Sequence, residues 1–149
     1  MQFAQPLDIR FSDLGKRRFR TPSTLFLCDE LERLYAGEEY SVAAGASYAF
    51  QTWAASDVWD DLYKGLLRFK NSKLEKLELG FFTWHNKEQE QYLKQTRTEL
   101  AEVYFDPDFF LDEDLFIRSA KAMIKAITAF WDGLNSTRIV NEYHSNLPN

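Results

Sequence analysis

From Thr21 to Leu134 the hydrophobic residues recur at spacings of three and four, the period of helices that bury one face. Thr21-Pro22 opens the first helix, with threonine as N-cap and proline at the first helical position, where a missing N–H is no loss. Leu25, Cys28, Leu31, Leu34 and Tyr35 then share a face, and Gly37 closes the helix. After Glu38-Glu39 a second helix carries Val42, Ala43, Gly45, Ala46, Ala49, Phe50 and Trp53. Its Ala- and Gly-rich early turns let a partner backbone come close, which makes it the central helix. Ser56 or Asp57 caps a third, with Val58, Trp59, Leu62, Leu66 and Phe69 as its stripe and Asp57, Asp60 and Asp61 at its positive end. Asn71-Ser72 breaks it. A fourth helix runs from Phe81 to about Tyr104; Leu93, Thr96, Leu100, Val103 and Tyr104 extend its buried side, and Asp106-Pro107-Asp108 ends it in a turn. The last begins at an Asp112 cap and repeats Leu115, Phe116, Ala120, Met123, Ile124, Ile127, Phe130, Trp131 and Leu134. The expectation is an all-α bundle of about five helices over residues 21 to 137. An arm of residues 1 to 20, interrupted by Pro6 and Gly15, precedes it, and a flexible tail of residues 138 to 149 follows.

Composition agrees with this reading. A chain of 149 residues and 17.5 kDa is the size of one domain and buries a core without staples. An aromatic content of 16% against six Gly and four Pro points to large side chains between helices, and Trp53, Trp59, Trp84 and Trp131 all read as core. The net charge of −5 lacks the basic field that nucleic acid or an anionic membrane requires, so neither is expected as a partner. Lys16-Arg17-Arg18-Phe19-Arg20 is the exception: a solvated surface run on the plain reading, a phosphate or acidic-partner patch on the functional one. Cys28, the single cysteine, excludes an internal disulfide and sits among Leu25, Phe26, Leu27 and Leu31 as a small buried hydrophobe. A reducing compartment, no leader pattern in residues 1 to 10 and no membrane-spanning run together give a cytoplasmic expectation. Phosphate-loop, zinc-finger and common hydrolase motifs do not occur.

The candidate chemistry lies on the fourth helix. His85, Glu88, Gln89 and Tyr92 are three, four and seven residues apart and share a face. His144, beside Tyr143 and Ser145 in the tail, reads as a surface residue.

Four stretches carry a resemblance. Glu30-Leu31-Glu32-Arg33-Leu34-Tyr35, then Ala43-Ala44-Gly45-Ala46-Ser47-Tyr48-Ala49-Phe50-Gln51-Thr52-Trp53-Ala54, then Leu79-Gly80-Phe81-Phe82-Thr83-Trp84-His85, and Phe130-Trp131-Asp132-Gly133-Leu134 keep an order and spacing. Together they resemble successive blocks of the haem-oxygenase-like iron-containing redox enzymes, within the haem-oxygenase-like di-iron oxidase superfamily. The resemblance implies a haem-oxygenase-like helical bundle shortened at the N-terminus, since the chain begins where the second part of that domain would. It also implies a ligand set. Family members that hold two irons use a glutamate and a histidine from an early helix, a glutamate from the Ala-rich helix and a His-x3-Asp-x2-His set from a later one. Here the last set falls on His85, Gln89 and Tyr92, and the Ala-rich helix offers Gln51. His85 alone is retained. A neutral amide brings no charge to offset the dehydration of an ion, so the expectation is no cofactor and a degenerate pocket. There His85 and Tyr92 hydrogen-bond Gln51 and Gln89. Iron is the alternative, with Glu88 as substitute ligand beside His85.

Three functions follow from this. The first is a non-catalytic, metal-site-degenerate relative: a binding or assembly protein, either a homo-oligomer such as a homodimer or one whose protein partner covers the face left by missing N-terminal helices. The second is an iron-dependent oxidoreductase whose site is either rearranged onto His85, Glu88 and Glu90 or supplied with ligands by a second chain. The third is a helical pocket for an apolar or aromatic small molecule oriented by Gln51, Gln89 and Tyr92.

Overall fold

The computed structural model describes residue 3, residues 5 to 13 and residues 15 to 145, with backbone alone at residue 11 and residues 142 to 145. Among them every regular element is helical, as the periodicity predicts. Short 3-10 turns at Gln5–Leu7, Phe11–Asp13 and Arg17–Phe19 precede α1 (Pro22–Tyr35), α2 (Tyr40–Ala54), α3 (Val58–Lys73), α4 (Gly80–Tyr104) and α5 (Glu113–Ser145). No helix among the described residues is long and apolar enough to cross a membrane. Helix α5 runs eight residues past Thr137, so helical backbone covers most of the expected tail; residues 146 to 149 and the His144 side chain lie outside the described residues.

The chain divides into two compact units, Met1–Gly15 with Ser47–Leu111, and Lys16–Ala46 with Asp112–Asn149. The described residues of the expected arm thus group with α3 and α4 up to Gly15, and with α1 and α5 from Lys16 onward.

In the α1–α5 unit the local signals act as read. Thr21 accepts the Thr24 amide at 3.2 Å above Pro22, and Asp112 accepts the Leu115 amide at 2.9 Å, satisfying amides that have no partner inside the helix. Helix α1 lies along α5, with Leu34, Met123, Ala126 and Ile127 buried between them and around them. Small residues set the approach: a Cβ on Gly45 would overlap the Phe116 carbonyl and the Ser119 hydroxyl, and one on Gly133 would overlap the Ser23 side chain. Buried Ser41 accepts the Asp112 amide through its hydroxyl at 2.9 Å, and buried Ser119 donates to the Phe116 carbonyl at 2.9 Å. Tyr35 and Ile124, expected on buried stripes, are exposed. An apolar stripe is about 100° wide, and one neighbouring helix covers only its middle.

In the α3–α4 unit the two helices pack together, and the six-residue connection between them contributes core. Leu77 and Leu79 are buried, and Lys70 donates to the Leu77 carbonyl at 2.7 Å, tying the connection to the end of α3. Asp57 stands at the N-cap of α3 without a side-chain cap bond. Ser56 instead donates to the Trp53 carbonyl at 2.6 Å, the local backbone bond by which serine competes with capping. Helix α3 passes Asn71-Ser72 and ends at Lys73. The turn after α4 forms as expected, with the Phe109 amide on the Asp106 carbonyl at 3.2 Å.

Candidate functional site

His85 stands in the second turn of α4, half-buried. Gln89 follows one turn later on the same face and is 7% exposed, so its amide needs a partner inside the protein. It finds one in His85, with Gln89 Nε2 3.1 Å from His85 Nδ1. The contact ties the imidazole to the buried amide one turn away on the same helix.

Aromatic rings enclose the imidazole. The Trp59 indole, brought in from the first turn of α3, stacks on it at 4.9 Å with an interplanar angle of 12°. Phe81, one turn before His85, meets its edge at 4.3 Å, and Trp84 does so at 4.9 Å. Phe82 lies 6.4 Å from Trp59 and is contacted in turn by Phe3 at 5.0 Å, an anchor for the N-terminal segment. Phe81 and Trp84 remain 57% and 50% exposed, so the cluster has a solvent-facing aromatic rim. Trp84 is therefore a rim residue, which its place on an apolar stripe did not reveal.

Of the residues singled out by sequence, the structure joins His85 and Gln89 directly. Tyr92 reaches the cluster through Trp84, with ring centroids 6.4 Å apart. Gln51, near the end of α2, does not take part in the expected exchange of hydrogen bonds: its Oε1 is buried and has no partner. Trp59 Nε1 is likewise a buried donor without one. Both atoms belong to the α3–α4 unit. Glu88 is half-buried, and among the described residues no group of three or more His, Cys, Asp or Glu side chains is placed to hold a metal ion.

Spacing places Trp59 in the core stripe of α3 and carries no sign of its stack on His85. Nothing local to Trp59 announces it, because the stack depends on how α3 sets against α4. Phe81 could have been found, since it precedes His85 by four residues on one helix. No family model, curated protein or solved structure matches the chain.

Proposed function

We propose that the chain is a non-catalytic binding or assembly protein on a haem-oxygenase-like helical plan, a relative of the iron redox enzymes whose ligand positions hold neutral groups. The observation that carries this is the 3.1 Å contact between Gln89 Nε2 and His85 Nδ1. At the position where the resemblance puts a metal-binding aspartate, the side chain is an amide that engages the neighbouring imidazole. Trp59 covers one face of that imidazole, and its Nδ1 is already engaged by Gln89. Gln51 and Tyr92 are neutral as well. This donor set does not fit a pair of iron ions, which require anionic ligands to offset their dehydration. The exposed rings of Phe81 and Trp84 supply apolar surface of the kind that binding sites use.

Elemental analysis of protein from iron-supplemented cells tests the reading. Clearly substoichiometric iron is the expected result. About two irons per chain, the number a di-iron set binds, would overturn it in favour of an oxidoreductase.

A second reading, a site for a small polar aromatic molecule, is favoured by one observation. Gln51 Oε1 and Trp59 Nε1 are a buried acceptor and a buried donor without partners. Natural proteins leave few such groups, and a ligand with complementary donors and acceptors is one way to satisfy them.

A further inference from the structure

The connection between α4 and α5 is the most exposed apolar stretch of the described chain. Phe105 and Phe110 are 79% and 83% exposed, and Tyr104 and Phe109 are exposed beside them. It is also acidic: with the helix ends that flank it, residues 98 to 117 include Asp and Glu throughout and no Lys or Arg. Its shape is set in advance, because the Asp108 amide donates to Asp106 Oδ1 at 2.9 Å and the Phe109 amide to the Asp106 carbonyl at 3.2 Å. A surface already ordered loses little entropy when something binds.

The chemistry that fits phenyl rings flanking carboxylates is a cluster of cations beside a ring. Guanidinium groups lie flat on aromatic faces and pair with carboxylates. This chain carries such a segment in residues 16 to 20. Lys16, Arg17, Arg18 and Phe19 are exposed there, Phe19 by 58%, and the Arg18 guanidinium lies 4.6 Å from the Phe19 ring centroid. In a protein of net charge −5 the run is the natural complement to the acidic connection.

We propose that the α4–α5 connection is a self-association surface whose occupant is the basic run of a second copy of this chain. A two-fold pair makes the contact twice, each connection meeting the other copy's run. The surface lies apart from His85, so the iron measurement above leaves it untouched.

Charge reversal with the full chain tests it. One variant carries Glu102→Lys and Asp108→Lys; Asp106 is spared because it holds the turn. The other carries Lys16→Glu and Arg18→Glu; Arg17 is spared because it pairs with Asp29 at 3.1 Å. Sedimentation of the parent is expected to show dimers at low ionic strength that weaken by about tenfold or more in high salt. Each reversed chain alone should be monomeric. An equimolar mixture of the two should associate, and a chain carrying all four changes should dimerise again. Phe105→Ser with Phe110→Ser, which leaves the charges in place, should also weaken the dimer. A parent that stays monomeric overturns the proposal, even if its connection captures a basic amphipathic peptide. So do reversed chains that associate as strongly as the parent, or that fail to associate when mixed.

Discussion

The two units differ in what their buried serine, histidine and glutamine side chains do. In the α1–α5 unit, the buried serines Ser41 and Ser119 each have a backbone partner, and glycines bring helices close enough that an added methyl group finds no room. In the α3–α4 unit a histidine and a glutamine bond to each other under an indole, while Gln51 Oε1 and Trp59 Nε1 are buried without partners. Each unmet buried polar atom costs of order 1–3 kcal/mol. Folding alone favours the first arrangement. Rule-breaking polar groups of the second kind gather at functional sites, and together with the His85–Gln89 bond and the aromatic rim they place the candidate site among α3, α4 and the end of α2.

The sharpest way to break this contrast is with matched glycines, one in each unit. Helix propensity alone favours alanine by about 1 kcal/mol at both Gly45 and Gly65. At Gly65 nothing lies within 4 Å of an added Cβ, so Gly65→Ala is expected to raise stability by up to about 1 kcal/mol. At Gly45 the Cβ meets the Phe116 carbonyl, which belongs to a helix backbone and cannot swing aside. Overpacking of that kind costs about 1–3 kcal/mol and outweighs the propensity gain. Urea unfolding of the two variants should therefore give midpoint shifts of opposite sign. A stabilised Gly45→Ala would mean that α2 and α5 are free to separate there, and the close-packed description of that unit would fall.

The same contrast explains what the sequence made legible. Thr21-Pro22 and Asp112 act within one turn of chain, so their helix starts were readable. The Gln89 to His85 bond joins residues four apart on one helix, and it too follows from spacing. Other features depend on how two elements meet, which periodicity does not encode. Trp59 stacks on His85 only because α3 sets against α4 in one register. Trp84 lies on an apolar stripe yet faces solvent, since spacing tells which residues share a face and not how far a neighbour covers it. Leu77 and Leu79 are buried in a connection with no helical period to mark them. The amide and phenol at the resemblance's ligand positions could be read directly, but the lack of a partner for Gln51 Oε1 could not.

A smaller effect tests whether the unmet polar atoms are a genuine burden. Gln51→Leu keeps side-chain volume roughly constant and removes the buried acceptor; Trp59→Phe removes the buried donor while keeping a ring against His85. Eliminating an unsatisfied group is expected to stabilise by about 1 kcal/mol, part of it lost at Trp59 to the smaller ring. Thermal unfolding of the free protein reads this out. If Gln51→Leu instead lowers stability by a similar amount, Gln51 Oε1 is satisfied in solution, for instance by a bound water. The small-molecule reading would then lose its support.

The smallest expected effect belongs to the α1–α5 unit, at its surface. Arg33 donates to Glu30 through Nη2 at 2.7 Å and through Nε at 3.1 Å, and these hydrogen bonds hold the Glu30 carboxyl below its ordinary range. A carboxyl whose pKa is depressed in the folded state adds stability above its unfolded pKa, about 4.3, and loses it as the pH falls through the lower folded value. Partly exposed pairs of this spacing contribute only about 0.3–0.5 kcal/mol. Glu30→Gln should therefore lower the urea midpoint by about 0.2 M near neutrality. The gap between variant and parent should start to narrow as the pH drops below about 4.3 and close once it has passed the lower folded value, because by then the parent's carboxyl is also neutral. A gap that persists undiminished in acid would show that Glu30 acts through packing along α1, and the ion pair would have no part in holding that helix.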